Sequence, residues 1–270
     1  MSGVDVGQGV RLFVQDLGAE HPGTTPLVLL PGFGMTHEVW DRQVRLAAAT
    51  RRVLALDQRG HGQSDAPLDG YDLDTLVRDL VAVLDACGVS RADVVGWSFG
   101  GQVAFRAAAA HPDRVSRLVL VGSNGVRASR SDAFPFGRDA EKAERAMLDA
   151  EHADRIAARR TFIAAAFARE PRPDVLDHLG GLSLRMPSWA AVECARTMFR
   201  SDLTADLPAV TAPVLQVMGA ADPVHRIEGA RWLQERLADS RLIELLDCGH
   251  YPMFEAADAF DEALSGFLGL

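Results

Sequence analysis

The chain has 270 residues, 48% of them hydrophobic and 24% charged, enough to bury a large core in one domain that carries an insertion. A formal net charge of −9 leaves no basic surplus to neutralise phosphates, which argues against a nucleic-acid partner. Cys87, Cys194 and Cys248 are too widely spaced for a disulfide framework or a metal-ligand pattern, and no apolar run approaches the ~20 residues that span a bilayer.

In chain order, the first nine residues hold neither a basic cluster nor an apolar run, so no secretion signal is expected; with the unpaired cysteines this points to a cytoplasmic protein. Residues 10–15 alternate loosely and predict an edge strand. Residues 27–30 (Leu-Val-Leu-Leu) form a short apolar run closed by Pro31-Gly32, the pattern of a strand buried on both faces. A helix is expected over 38–49, a second buried strand over 53–56 and a helix over 72–87. In that last helix Leu73, Leu76, Val77, Leu80, Val83 and Leu84 form one apolar stripe before Gly88. Strands at 93–95 and 115–121 enclose an Ala-rich helix over 102–110. Alternation then stops: 124–206 reads as helical with no convincing strand. It resumes with strands over 214–218 and 241–245, each followed by a helix, over 226–237 and 257–267. Alternation of this kind predicts an α/β fold with a mostly parallel central sheet and helices on both faces. The expected division is a core of 1–123 and 207–270, with 124–206 inserted between two core strands as a helical cap.

The chemistry concentrates at strand ends. Gly96-Trp97-Ser98-Phe99-Gly100-Gly101 lies between a β-branched run and a helix, which makes Ser98 the tip of a nucleophile elbow. The glycines leave room for the turn, and the helix start aims unpaired N–H groups at the serine oxygen. A serine hydroxyl needs a base held by an acid. In a parallel sheet both belong on neighbouring loops at the strand C-termini. Gly219-Ala220-Ala221-Asp222-Pro223 offers Asp222, and Asp247-Cys248-Gly249-His250-Tyr251 offers His250. Backbone N–H groups of Phe33 and Phe99 are the candidate oxyanion donors. Trp97, Phe162, Trp189, Phe199 and Tyr251 are candidates for a substrate pocket; the aromatic and methionine residues of 124–206 serve equally well as that segment's own core. His225 is expected to cap a helix or face solvent, His61 to shape its turn, and His37 shows no acidic context. Asp57 is assigned to turn hydrogen bonds, including one to Arg59. Cys248 is assigned to packing. No metal-ligand cluster, phosphate loop or dinucleotide fingerprint is present in the sequence.

The sequence resembles the α/β-hydrolase superfamily over almost its whole length. Five blocks carry the resemblance in order: Leu30-Pro31-Gly32-Phe33-Gly34, Asp57-Gln58-Arg59-Gly60-His61-Gly62-Gln63-Ser64, Gly96 to Gly101, Gly219 to Pro223, and Gly249-His250-Tyr251-Pro252-Met253-Phe254-Glu255. The resemblance implies Ser98 as nucleophile, His250 as base and Asp222 as its partner, with no metal or organic cofactor. It looks like the capped esterases, lactonases, cofactor-free perhydrolases and carbon–carbon bond hydrolases. Dehalogenases and epoxide hydrolases use an aspartate at the elbow, where Ser98 stands here. Carbon–carbon hydrolases usually carry tryptophan after the catalytic histidine, where Tyr251 stands. The expected function is hydrolysis of an ester or lactone of a small, fairly apolar molecule; a small-molecule receptor that keeps the fold without turnover is the rival from another class.

Overall fold

The computed structural model describes residues 2–21 and 23–270. Eight strands form a single sheet: β1 (Ser2–Asp5), β2 (Arg11–Leu17), β3 (Leu27–Leu30), β4 (Val53–Leu56), β5 (Ala92–Trp97), β6 (Val115–Val121), β7 (Val214–Gly219) and β8 (Ser240–Leu245). Their spatial order is β1-β2-β4-β3-β5-β6-β7-β8, and only β2 runs against the others. The helices are α1 (Asp41–Ala47), α2 (Leu73–Ala86), α3 (Phe99–Ala110), α4 (Ala140–Ala164), α5 (Pro173–Ser183), α6 (Ser188–Arg200), α7 (Ile227–Gln234), α8 (Pro252–Glu255) and α9 (Ala257–Leu268).

The period of two along a strand divides the apolar residues between two cores. Val28 and Leu30 face one side of the sheet with Val94, α2 and α3; Leu27 and Leu29 face the other with Val95, Trp40 and the α9 residues Phe260 and Leu264. Both faces being covered explains why β3, β4 and β5 are buried at every position. The expected α2 stripe packs inward as read, capped by Asp72, whose carboxylate accepts from the Thr75 N–H at 2.9 Å.

Two expectations are corrected. The strand over 10–15 is not the sheet edge, because β1 pairs outside it; Ser2–Asp5 is too short and polar to announce itself by alternation. The helix expected over 38–49 begins as a 3-10 turn, His37–Trp40, before α1.

Between β6 and β7 the chain is helical, with α4, α5 and α6 and one isolated bridge, Ser129 to Arg138, as the sole β pairing among its described residues. α4 is broken at Asp154 (φ −158°, ψ 92°), whose carboxylate accepts from the N–H groups of Ile156 and Ala157 and so caps the second half. Buried polar contacts fasten these helices together. The Arg159 guanidinium makes two bonds to Glu151, at 2.8 and 2.7 Å, and one to the Ser183 carbonyl at 2.6 Å. Ser188 of α6 donates to the same Glu151 at 2.8 Å.

Among the described residues no helix is long and apolar enough to cross a membrane, and no group of three or more His, Cys, Asp and Glu side chains could hold a metal ion.

Candidate active site

The turn from β5 into α3 holds Ser98 at φ 53°, ψ −118°. A non-glycine residue there costs on the order of 1–3 kcal/mol of backbone strain. Surrounding structure holds it in place: the Ser98 N–H donates to the Val121 carbonyl at 2.9 Å, and its own carbonyl accepts from the Ser123 hydroxyl at 2.8 Å. The turn is also why position 96 is glycine. A Cβ on Gly96 would lie 2.4 Å from the Gly100 carbonyl oxygen, so any side chain would force the elbow open.

The ends of β7 and β8 bring Asp222 and His250 to this serine. His250 Nε2 lies 2.9 Å from Ser98 Oγ, and His250 Nδ1 lies 2.9 Å from Asp222 Oδ2. All three residues are buried, at 6%, 7% and 3% exposure for Ser98, Asp222 and His250, so bulk water does not compete for these bonds. Asp222 Oδ1 accepts from the N–H groups of Val224 and His225 at 2.7 and 3.1 Å. Burial pushes the Asp222 carboxyl up, but the charge and hydrogen bond of His250, with help from His225, outweigh it and hold the carboxyl below its usual value. An ionised Asp222 can only accept, so Nδ1 of a neutral His250 carries the proton and Nε2 is left to accept from the serine hydroxyl.

The histidine loop is braced on every side. Trp97 Nε1 donates to the His250 carbonyl at 2.8 Å, and the His250 N–H donates to the Ala166 carbonyl at 2.9 Å. Glu255 accepts from three backbone N–H groups, those of Gly249 at 3.0 Å, Tyr251 at 2.9 Å and Ala168 at 2.8 Å. Glu255 thereby joins the loop to the chain after α4, a positioning duty that sequence reasoning did not assign. Burial, reinforced by Glu255 and Asp222, pushes the Cys248 thiol up to about 12, which leaves it a packing group rather than a nucleophile.

Opposite the elbow, the loop after β3 carries Phe33. Among the described residues, neither the Phe33 nor the Phe99 N–H has a hydrogen-bond partner, although both residues are buried. Buried backbone donors are rarely left so. Gln58 braces this loop by donating to the Pro31 carbonyl at 2.8 Å.

Ser98 opens into a small cavity lined on the sheet side by Phe33, Trp97, Val224, His225, His250 and Tyr251, and on the other by Ala128, Arg138, Phe162, Met198 and Phe199. It is tight, about 40 Å³, where one water needs ~10–15 Å³. Of the five expected pocket residues, Trp97, Phe162, Phe199 and Tyr251 line the cavity. Trp189 does not: it is 48% exposed and its Nε1 donates to the Ala66 carbonyl at 3.2 Å. On α6 the buried stripe is Ala190, Ala191, Cys194, Ala195, Met198 and Phe199, and Trp189 falls on the flank beside it.

Three other expectations are corrected. His225 is buried at 4% exposure, with its ring 5.6 Å from that of His250. Burial pushes it down to about 4 against the pull of the Asp222 carboxylate, so it stays neutral; Asn124 Nδ2 lies 3.3 Å from its Nδ1. His37 does have an acidic partner, with Nδ1 2.8 Å from Asp57 Oδ1. Asp57 in turn does not meet Arg59, which pairs with Asp79 at 2.8 and 2.7 Å.

A family model described as alpha/beta hydrolase fold matches residues 25–257. The chain belongs to the α/β-hydrolase family. This α/β-hydrolase is 33% identical over 246 residues to the pimeloyl-[acyl-carrier protein] methyl ester esterase of Nitrosomonas europaea, covering 89% of this chain and 95% of that one. It is 30% identical over 271 residues to the 2-hydroxymuconate semialdehyde hydrolase of Pseudomonas sp. strain CF600, covering 97% and 92%. Among solved structures, an esterase from Exiguobacterium antarcticum superposes with a TM-score of 0.94 at 26% identity, over 100% of this chain and 99% of that one. The α/β-hydrolase is accordingly an enzyme whose relatives include esterases.

Proposed function

We propose that this enzyme is a serine hydrolase that cleaves the ester bond of a small, partly apolar molecule. The observation that carries the reading is the unbroken chain from Ser98 Oγ through the His250 ring to the Asp222 carboxylate, with both links at 2.9 Å. Ser98 Oγ attacks the ester carbonyl while His250 Nε2 takes its proton, and Asp222 stabilises the imidazolium that forms. Negative charge moves to the carbonyl oxygen, where the Phe33 and Phe99 N–H groups stabilise it. Collapse breaks the bond to the alkoxy oxygen, which leaves as the alcohol with the proton held on His250. Water, deprotonated by the same Nε2, then attacks the acyl-Ser98 ester; the acid departs and the proton returns to Ser98.

In this reading residues 124–206 act as a cap set into a core of 1–123 and 207–270. Support comes from the cavity wall, where Phe162, Met198 and Phe199 face Ser98 from the inserted side, and from the Phe33–Phe162 ring pair at 6.3 Å. An apolar wall suits the hydrocarbon part of a substrate and excludes water from the acyl-enzyme. The esterases among the relatives favour an ester over other acyl compounds.

A fluorophosphonate probe tests the reading, because it phosphonylates only an activated serine. The expected result is one adduct, mapped by peptide mass spectrometry to Ser98 and absent in Ser98→Ala. An adduct at another serine, or no adduct on a protein that still hydrolyses esters, overturns it.

A further inference from the structure

The cavity over Ser98 is lined mostly by apolar and aromatic side chains, with Ser98, two histidines, Trp97 and Tyr251 as its neutral polar groups and one permanently charged side chain, Arg138. No carboxylate lines it. Among the described residues, the Arg138 guanidinium makes no salt bridge and no hydrogen bond to any other group; only its backbone carbonyl is engaged, by the Arg130 N–H at 2.9 Å. Most arginines in this chain behave differently. Arg51, Arg59, Arg117, Arg159 and Arg200 each sit against a carboxylate, and the carboxylate nearest Arg138 in sequence, Asp139, is already directed to Arg130 and the Lys142 N–H.

The backbone delivers Arg138 to this position. Gly137 has φ 101°, and a Cβ there would lie 2.6 Å from the Ala128 carbonyl oxygen, so glycine is needed for the turn. Arg138 then bridges Ser129, whose hydroxyl donates to the Phe199 carbonyl at 2.7 Å. One short bridge thus holds the arginine beside Ala128 and Phe199, two further lining residues. Arg138 is exposed while also lining the cavity, which puts it at the mouth with Ser98 further in. Its charge reaches the interior, since it is one of the groups that depress His225.

We propose that Arg138 is a specificity-determining residue that selects esters carrying a carboxylate at the end remote from the scissile bond. This rests on the serine-hydrolase reading. A guanidinium fork pairs two N–H groups with the two oxygens of a carboxylate. The single cation matches a monoanion; a phosphate dianion would leave a second charge uncompensated against apolar walls. The apolar lining between Arg138 and Ser98 takes the hydrocarbon spacer, so the substrate class is the half-ester of a dicarboxylic acid or a close relative.

The test compares three methyl esters that share a four-methylene spacer and end in methyl, carboxylate or phosphonate: methyl hexanoate, monomethyl adipate and methyl 5-phosphonopentanoate. Methanol release gives kcat and KM for wild type, Arg138→Gln and Arg138→Lys at low and high salt. Wild type is expected to favour monomethyl adipate over methyl hexanoate, and R138Q to lower that kcat/KM ratio by about 10- to 100-fold, the usual worth of a hydrogen bond to a charged group. The loss falls mainly on KM, R138K restores part of it, and salt weakens the wild-type preference. A wild type that prefers the neutral ester or the phosphonate overturns the proposal, as does a ratio that R138Q leaves unchanged. If Ser98 takes up the fluorophosphonate but the ratio is unaffected, this inference alone fails; if Ser98 is inert as well, the serine-hydrolase reading fails with it.

Discussion

The sheet and the helical segment between β6 and β7 hold their residues in different ways. In the sheet, β5 and β7 are buried at every position and pair with neighbours on both sides, and they bring Ser98 and Asp222 to the site; His250 follows the edge strand β8, and its loop is held by the Trp97, Ala166 and Glu255 bonds. In the inserted segment the packing stripes are thinner and polar contacts tie the helices: the buried Arg159–Glu151 pair spans the break within α4 and reaches α5 and α6 through Ser183 and Ser188, and the exposed Arg200 of α6 pairs with Glu144 of α4. Apolar strands tolerate little rearrangement. Helices joined by a few polar clamps can shift as units, and three of their side chains, Phe162, Met198 and Phe199, line the cavity over Ser98. On the proposed function, the difference divides the labour: the sheet sets the chemistry and the helical segment sets access to it.

The largest stability effect should come from the clamp. Arg159→Met removes both close bonds to the buried Glu151 carboxylate and leaves it only Arg155 at 3.9 Å and the Ser188 hydroxyl at 2.8 Å, so the cost should lie toward the lower end of the ~3–5 kcal/mol typical of a broken buried pair. Urea denaturation should show the loss, and a variant within 1 kcal/mol of wild type, on the order of a surface substitution, would mean the helices do not depend on the clamp.

Acid should expose a second contrast. Burial pushes His225 down to about 4, and His61 likewise, whereas the unfolded chain protonates these rings near ~6.5. Between those values the unfolded state binds more protons, so the stability is fully present above ~6.5 and is lost as pH falls toward 4. His225→Gln should therefore flatten the fall in unfolding free energy between pH 7 and 4.5 by roughly 2–3 kcal/mol. An unchanged slope would show that His225 is not held neutral.

Substrate ranking is the next test of the division. Phe162→Ala and Phe199→Ala each remove cavity wall without touching the Ser98–His250–Asp222 chain, and such losses are worth ~1–3 kcal/mol of discrimination. Their kcat/KM across short and bulky acyl esters should change order while a small activated ester is still turned over. Loss of all turnover in a protein folded by circular dichroism would place chemistry on the inserted helices. The smallest effect concerns the elbow itself. Glycine normally destabilises relative to alanine, but at φ 53° Ser98→Gly should be about 1 kcal/mol more stable than Ser98→Ala, because it releases strain that alanine keeps.

How far the molecule could be read beforehand follows the same line. Strand-end loops converge in any parallel sheet, so the positions of Ser98, Asp222 and His250 were legible from strand runs and the turns beyond them. β1 was not, since Ser-Gly-Val-Asp has no periodicity to detect. His225 was misjudged because the turn that bonds its N–H to Asp222 sets its ring against His250 and Asn124, residues distant in sequence. The Arg159–Glu151 pair is spaced eight residues apart across the break at Asp154, outside the i,i+4 spacing that helical charge pairs announce. Trp189 carried a usable signal that was missed: Ala190, Ala191, Cys194, Ala195 and Met198 mark the inward stripe, and Trp189 lies off it.

The central claim is that Ser98 performs the chemistry, and kcat on a small activated ester such as p-nitrophenyl acetate in Ser98→Ala tests it most directly. With circular dichroism matching wild type, the account predicts a fall of roughly 10⁴- to 10⁶-fold. Activity within about tenfold of wild type, a loss far smaller than that of a nucleophile, would contradict it.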